Sequence, residues 1–281
     1  PAVSTALLQT AEAWLRTRGA EKIVGPFNFT INEDCGVLVD GFEDPPALMM
    51  PHGRPYYADA LDRAGYAKAK DLIAYRFDLA NAAVPPRLKR LVDRVASDSS
   101  VTLRALNPKA FSADVATVMD IFNDAWSENW GFVPFSDAEI SHVGANMRPV
   151  LRPDWGCIAE LNGEAVAFAL ALPNVNEAIA DLDGRLLPFG WAKLLYRLKI
   201  AGVKSVRMPL MGVRKSLQGA TVGAALSFAV IQQVHERCRE SGVEMAELSW
   251  ILEDNVSMRR MIEEIGGVPY KTYRMFEKAL V

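Results

Sequence analysis

Residues 210–226 read Leu-Met-Gly-Val-Arg-Lys-Ser-Leu-Gln-Gly-Ala-Thr-Val-Gly-Ala-Ala-Leu, which predicts a strand, a short loop of small residues and the start of a long helix. The loop from Gln218 to Gly223 falls where the first backbone N–H groups of that helix have no partner within it. Small side chains leave these groups accessible, and the helix dipole favours a negative charge beside them. The stretch therefore predicts either a pyrophosphate site or only a helix packed tightly on its strand.

A second pattern follows in the next strand and helix. Residues 246–267 read Ala-Glu-Leu-Ser-Trp-Ile-Leu-Glu-Asp-Asn-Val-Ser-Met-Arg-Arg-Met-Ile-Glu-Glu-Ile-Gly-Gly. Asn255 stands at the predicted helix start, where its simplest role is that of an N-cap. The Gly266-Gly267 pair ends the helix.

Together the two stretches resemble the Gcn5-related N-acetyltransferase superfamily. Residues 218–223, Gln-Gly-Ala-Thr-Val-Gly, are similar to its acyl-CoA pyrophosphate signature, Gln/Arg-x-x-Gly-x-Gly/Ala. Asn255, Ile262 and the two glycines are similar to its Asn…Tyr-x-x-x-Gly-Phe segment. Thr221 departs from the usual glycine and narrows the approach to the phosphates. Ile262 stands where many members have the tyrosine that protonates the leaving thiolate.

The remaining patterns predict a matching fold. From Val101 the element order is β α α β β (α) β α β α β, with a capping box at Ser136–Glu139 and a hairpin turn at Asn162-Gly163. Pro209 predicts that the strand from Ser205 splays or bulges. The expected class is α/β (α+β), with a central mixed, mostly antiparallel sheet flanked by helices.

A faint internal repeat extends the resemblance to the N-terminal part. Residues 11–30 parallel 235–252, and residues 57–79 parallel 258–280, each as a helix followed by a strand. We therefore expect a partial, degenerate copy of the same fold at 1–80 and a complete acyl-CoA-binding copy at 101–281. Residues 81–100 contain Pro85-Pro86 and a Ser/Asp cluster, which predict a linker without regular helix.

Composition excludes several classes of protein. The 281 residues carry 31 Lys and Arg against 34 Asp and Glu, a net charge of −3, which argues against coating of nucleic acid or an anionic membrane. The three cysteines and three histidines show no metal-ligand spacing, so we expect no metal and no disulfide framework. No targeting signal or membrane span is apparent. The expected location is the cytoplasm, and a homodimer is left open.

The resemblance implies that acetyl-CoA or another acyl-CoA is the co-substrate. Its thioester would lie beside the strand after Pro209, and its pyrophosphate at the loop that follows. The implied cofactor-binding residues are Leu210, Met211, Gly212, Val213, Gln218, Gly219, Ala220, Thr221, Val222, Gly223 and Asn255.

Direct transfer to an amine requires a base, because the nucleophile must lose a proton. Glu247 and Ser249 share one face of the strand beside the cofactor strand. Glu247 is the candidate base, with a salt-bridged strand carboxylate as the alternative. Tyr273 completes the candidate catalytic set, although Tyr270 and Tyr273 also suit ordinary strand positions.

An aromatic loop between the first two helices of the complete copy is the candidate acceptor site. Residues 126–135 hold two Trp and two Phe; they either bind a ligand or fill the core beneath the loop. The candidate substrate-binding residues are Trp126, Asn129, Trp130 and Phe132. The Pro- and Gly-rich segment 25–57 is expected to face the same site across the domain junction.

The sequence therefore predicts an acyl-CoA-dependent N-acyltransferase that attacks the thioester directly with a small amine, an amino acid or a peptide. Because Ile262 replaces the tyrosine and the first copy is degenerate, a non-catalytic acyl-CoA- or ligand-binding protein is the alternative. A third interpretation is an aminoacyl or peptidyl transferase.

Overall fold

The computed structural model describes residues 2–81 and 85–280. Within these ranges the helices are α1 (Ala2–Arg16), α2 (Tyr56–Arg63), α3 (Pro86–Ser97), α4 (Phe111–Trp126), α5 (Asp137–Met147), α6 (Val175–Ile179), α7 (Gly190–Tyr196), α8 (Thr221–Glu240) and α9 (Val256–Glu264). The strands are β1 (Lys22–Gly25), β2 (Phe27–Asn28), β3 (Thr30–Cys35), β4 (Val37–Asp40), β5 (Ala67–Asp78), β6 (Val101–Ala105), β7 (Gly156–Leu161), β8 (Glu164–Pro173), β9 (Ser205–Val213), β10 (Met245–Leu252) and β11 (Val268–Ala279).

Nine of the described strands form one sheet in the order β1-β11-β5-β10-β9-β8-β7-β6, with β4 added to β11. β9 and β10 are its one parallel pair among these strands; the other pairs are antiparallel. β2 and β3 form a separate hairpin. The predicted mixed, mostly antiparallel sheet and the element order from Val101 are confirmed.

Local signals explain several of these elements. Ser136 and Glu139 form the predicted capping box at the start of α5. Asn162 and Gly163, with φ of 53° and 83°, make the predicted turn between β7 and β8. β8 is buried on both faces: Ala167 and Ala169 pack in the cluster that contains α8, whereas Phe168 and Leu170 pack in the cluster that contains α4. α8 and α4 therefore cover opposite faces of the sheet.

The repeat is visible in the strand register. β1 pairs with β11 through Lys22 and Ala279, and β10 pairs with β5 through Met245 and Asp78. The sequence repeat relates Lys22 to Met245 and Asp78 to Ala279, so the two pairings are equivalent. Each half therefore places its last strand beside the penultimate strand of the other half, and β5 and β11 meet in the middle.

Two predicted boundaries are wrong. The strand expected to continue to Thr30 stops at Gly25, because Pro26 offers no backbone donor. The expected linker contains α3, which begins at Pro86; proline is tolerated in the first turn, where its missing N–H has no partner in any case. Ala82, Ala83 and Val84 lie outside the described residues. β5 shares its sheet with the later strands, and the division into 1–80, 81–100 and 101–281 stays a prediction.

Candidate active site

The parallel strands β9 and β10 separate in the middle of the sheet. Their pairing ends at Met208 and Leu248. Beyond that level β9 continues against β8 alone, with a register shift between Leu170 and Leu172, and β10 continues against β5. The opening predicted at Pro209 is therefore confirmed, and it exposes the edge of β9 that carries Leu210, Met211, Gly212 and Val213.

Two side chains bind carbonyl groups of β9 beyond this point. The Trp126 indole nitrogen donates to the Met211 carbonyl oxygen at 3.0 Å. The Gln218 amide donates to the Val213 carbonyl oxygen at 2.9 Å and to that of Ala125 at 3.2 Å. The carbonyl groups expected to receive the thioester arm thus have partners from the chain itself.

The loop before α8 presents free backbone donors. In the described part of the chain, no acceptor pairs with the N–H groups of Gly219, Thr221, Val222 and Gly223. Gly219 and Thr221 are exposed. The groups of Gln218 and Ala220 were expected to be free as well, but they donate to Lys215 and Leu217 carbonyl oxygens at 3.1 and 3.3 Å.

Glycine is needed at two positions of this loop. Gly219 has a φ of +77°, which side chains rarely allow. A Cβ added at Gly223 would lie 2.0 Å from the Leu217 carbonyl oxygen. The loop therefore folds back onto the first turn of α8. Three of the four free donors belong to exposed residues, Gly219, Thr221 and Val222, whereas Gly223 is buried; unpaired donors at a helix start suit an anion such as a diphosphate.

Asn255 caps α9, which is the simpler of the two roles considered for it, and its part in cofactor binding stays a prediction. Its side-chain oxygen accepts from the Met258 N–H at 3.1 Å. Ile262 is buried in the core beneath α8, where it contacts Gly267. A tyrosine hydroxyl does reach α9 from another strand: the Tyr75 hydroxyl lies 3.0 Å from both Arg259 Nε and Glu263 Oε1.

Glu247 is the centre of a buried polar cluster. Its carboxylate, with an exposed fraction of 0%, accepts from the Ser249 and Tyr270 hydroxyls. Arg207 Nε donates to the Ser249 oxygen at 2.8 Å and lies 3.9 Å from the carboxylate. Burial lowers the pKa of Arg207, and burial together with the Glu247 charge raises the pKa of Tyr270.

Arg207 and Tyr270 are members of this cluster that the sequence analysis did not select. The signal for Arg207 was an arginine inside an apolar strand, where a charged side chain needs a buried partner. Its guanidinium also donates to the Leu48 carbonyl oxygen at 3.0 Å, which fixes the N-terminal segment to β9. Tyr273 is fully buried with an unpaired hydroxyl; burial raises its pKa.

A cavity of about 700 Å³ lies beside this cluster. Its walls come from α4, α5, the β2–β3 hairpin and the sheet. Apolar side chains dominate the lining, and Arg207, Pro209, Leu210 and Trp250 form the wall towards the opened strands. Of the buried polar cluster only Arg207 lines the cavity; Glu247, Ser249 and Tyr270 do not.

The aromatic loop contributes less to the cavity than expected. Of its four candidates only Trp126 lines the cavity. Phe132 packs beside Phe122 in the α4 core, and Trp130 packs in the core under β3 and β11. Asn129 makes turn hydrogen bonds through its backbone. For Trp130 and Phe132 the structure thus corresponds to the core-filling alternative.

The N-terminal segment does face the cavity, as expected. Asn28, Asn32 and Glu33 line it, together with Phe29, which is 92% exposed at the hairpin turn. Cys35 behind them is a buried thiol whose pKa burial raises to about 12, which does not suit a nucleophile. No group of three or more potential metal ligands occurs among the described side chains.

Comparison with family models finds no match. Protein YghO of Escherichia coli (strain K12) is 44% identical over 280 residues, which cover 100% of this chain and 71% of that protein. The bacterial ceramide synthase of Caulobacter vibrioides (strain NA1000 / CB15N) is 46% identical over 280 residues, with 100% and 72% covered.

Solved structures show the same fold. A GCN5-related N-acetyltransferase from Sphaerobacter thermophilus has a TM-score of 0.58 at 15% identity, with 99% of this chain and 68% of that chain covered. A tandem GNAT protein from the clavulanic acid biosynthesis pathway has a TM-score of 0.54 at 15% identity, with 98% and 69% covered. The fold expected from the resemblance is confirmed, and one of the similar structures is a tandem protein. Within the described ranges, no helix combines the length and apolar character needed to cross a bilayer.

Proposed function

The chain belongs to the family of protein YghO and the bacterial ceramide synthase, within the GCN5-related N-acetyltransferase superfamily, and from this premise we propose that it is an acyl-CoA-dependent N-acyltransferase whose acceptor is a long-chain amine. A ceramide is the amide of a fatty acid with a long-chain amino alcohol. The name of that relative and the architecture of the cavity support the same acceptor class, which differs from the small amine or peptide suggested by the superfamily.

The observation that carries the proposal is the apolar cavity beside the opened strands. Its volume of about 700 Å³ is within the ~300–1,000 Å³ range of small-molecule sites. A hydrocarbon chain gains free energy for every methylene it buries there, about 0.8 kcal/mol each. An amino acid or peptide would leave its polar groups unpaired against the same walls.

The acyl-CoA is proposed to bind on the other side of the opening. Its diphosphate would accept from the four free N–H groups between Gly219 and Gly223. The thioester would then lie beside Leu210, which also lines the cavity. Acyl group and acceptor would meet at the point where β9 and β10 separate.

Glu247 is proposed as the base, acting through Ser249. The amine nitrogen bonds to the thioester carbonyl carbon, the carbon–sulfur bond breaks, and the amine proton passes to the Ser249 oxygen while that hydroxyl gives its own proton to Glu247. Coenzyme A leaves as a thiolate. Because an alkyl thiol has a pKa of about 8.5, water can protonate this thiolate without a fixed acid at Ile262.

The test is turnover by the purified protein with acyl-CoA thioesters of 2 to 18 carbons. Acceptors would be sphinganine, an alkylamine of equal length, and a mixture of amino acids and short peptides, with the amide product measured by mass spectrometry. We expect amide formation with the long-chain amines only. Acylation of amino acids or peptides alone would contradict the acceptor class.

Two other outcomes would overturn the catalytic proposal. Thermal stabilisation by acyl-CoA without amide formation from any acceptor would indicate the non-catalytic binding protein. Transfer that requires aminoacyl-tRNA and not acyl-CoA would indicate the aminoacyl transferase.

A further inference from the structure

The segment between β8 and β9 carries a large exposed apolar surface. We call residues 185–200 the β8–β9 ridge. Its most exposed members are Leu187, Phe189 and Ile200, at 78%, 77% and 74%. The other exposed apolar side chains of the ridge are Leu186, Trp191, Leu195 and Tyr196. Soluble surfaces rarely keep so many large apolar side chains together without a partner.

The ridge is held rigidly on the domain. Leu194 and Leu198 face inward and pack against the core that contains α8. Arg197 donates to the Ala178 carbonyl oxygen at 2.7 Å and to the Asp181 carboxylate at 2.6 Å. Trp191, Leu195, Tyr196 and Ile200 therefore lie on a helical support, since α7 continues through 197–201 in π-helical geometry, whereas Leu186, Leu187 and Phe189 lie in the segment that precedes α7.

Positive charge is interleaved with these apolar side chains. The ridge has four basic residues and no acidic one, whereas the whole chain has a net charge of −3. Lys193 and Arg197 pair with Asp181 at the border of the ridge. Arg185 and Lys199 are exposed, and no ion pair involves either of them within the described ranges.

We propose that the β8–β9 ridge docks the protein onto an anionic phospholipid bilayer. Tryptophan, tyrosine and phenylalanine favour the boundary between head groups and acyl chains, and lysine and arginine beside them bind anionic head groups. A second copy of the chain is a poorer occupant, because a two-fold contact would bring two positive ridges together. The net charge of −3 argued against binding to an anionic membrane. That charge is a sum over the whole chain and does not report the local excess of basic residues on the ridge.

The proposal goes beyond acyl transfer and does not depend on it. Vesicle binding is measured without acyl-CoA or acceptor. The probe is flotation with vesicles of phosphatidylcholine alone and of phosphatidylcholine with 40% phosphatidylglycerol. We expect binding to the anionic vesicles that weakens as salt is raised, because the head-group attraction is screened.

Variants separate the two contributions. The double variant Leu187→Ser/Phe189→Ser removes two apolar side chains. The double variant Arg185→Glu/Lys199→Glu reverses two unpaired charges. Each double variant should lower the vesicle partition coefficient about tenfold or more. Val268→Ser and Lys89→Glu are matched controls, because both residues are exposed and lie outside the ridge. Neither control should change binding by more than about twofold.

Depth is tested by a fluorophore at the ridge. Because Cys35, Cys157 and Cys238 are buried, Leu187→Cys can be labelled selectively with an environment-sensitive dye. Its emission should shift to the blue on anionic vesicles, and that of a labelled Val268→Cys control should not.

Three results would overturn the proposal. One is the failure of the wild-type protein to float with anionic vesicles at low salt. Another is binding that both ridge variants retain. The third is a concentration-dependent dimer, measured by light scattering without lipid, that the double variant Leu187→Ser/Phe189→Ser no longer forms. The ridge would then be an interface between copies of the chain.

Discussion

Trp126 ends α4 and donates its indole N–H to the Met211 carbonyl oxygen at 3.0 Å. This one hydrogen bond joins the wall of the cavity proposed for the acceptor to the strand proposed to hold the thioester. Any ligand group that bonds the same carbonyl must displace or share the indole donor. The contact therefore couples the cavity wall to occupancy of β9.

Replacing this donor gives the first prediction. Trp126→Phe keeps an apolar ring in the wall and removes the competing N–H. We expect a loss of about 1 kcal/mol in the free energy of unfolding and a several-fold tighter acyl-CoA dissociation constant, measured by calorimetry. Trp14→Phe on exposed α1 is the control. Weaker acyl-CoA binding by the Trp126 variant would contradict the idea of competition.

The α8 loop allows a test in which stability and binding change in opposite directions. Ala220 is the N-cap of α8 and makes no side-chain cap, so Ala220→Asp should cap the helix and raise stability by about 1 kcal/mol. The same carboxylate would compete with a diphosphate and repel it, and we expect acyl-CoA affinity to fall about tenfold or more. Ala220→Ser supplies a cap without charge and should retain more of the affinity. Unchanged affinity in the aspartate variant would place the diphosphate elsewhere.

The proposed role of Glu247 as a base predicts a selective loss of turnover. Glu247→Gln preserves shape but cannot accept the proton, so we expect turnover to fall by about 10²-fold or more, with acyl-CoA affinity nearly unchanged. Ser249→Ala should also be slow, because the proposed proton relay would lose the hydroxyl that donates to Glu247. Exposed Glu264→Gln is the matched control. The substitution removes the charge that faces buried Arg207, so circular dichroism must first show that the Glu247 variant is folded. A folded variant with normal turnover would exclude Glu247 as the base.

Asp71 on β5 predicts a pH dependence of stability. Burial raises the pKa of Asp71, but hydrogen bonds from Arg274, at 2.8 and 3.0 Å, and from Lys68 outweigh it, so the pKa in the folded protein lies below its usual value. The stabilisation is therefore complete above the unfolded-state pKa of about 3.9 and is lost as the pH falls through the lower, folded-state pKa. Urea unfolding should show Asp71→Asn less stable than wild type at pH 7, with the difference shrinking below pH 4. Asp93 is exposed, and Asp93→Asn should leave the free energy of unfolding close to that of the wild type at both pH values. A loss of stability in Asp71→Asn that does not change with pH would argue against the ion pair.

The exchanged strands predict that the second half does not fold alone. A fragment of residues 101–281 lacks β5 and thus leaves facing edges of β10 and β11 unpaired. We expect it to be insoluble, and co-expression with residues 1–100 to restore soluble protein. A monomeric, cooperatively unfolding fragment would show instead that the complete copy is autonomous.

Much of the fold was accessible from sequence because its signals are local. The capping box at Ser136, the Asn162-Gly163 turn and the run of alternating small and large residues in β8 each act over a few positions. The place of β5 between β10 and β11 was not accessible, since its partners are nearly 200 residues away. Pro86 misled the prediction because proline forbids a helix interior and yet favours a helix start.

The candidate site was predicted in part for the same reason. The α8 loop follows from its own sequence, and Gly219 and Gly223 are needed where the pattern placed them. The Glu247 cluster draws Arg207 and Tyr270 from two other strands, which only the sheet order brings together. The aromatic loop was overestimated, because a sequence does not tell whether an aromatic side chain points into a pocket or into the core.

The exchange of terminal strands has a consequence for how such a gene can change. In the repeat, Val24 of the first half corresponds to Glu247 of the second, so the first half has no carboxylate at that place. The strand β5 of the first half nevertheless pairs with β10, which carries Glu247. If each half needs the other's last strand to fold, we expect a gene that encodes this chain to keep both halves, even though only the second carries the candidate base.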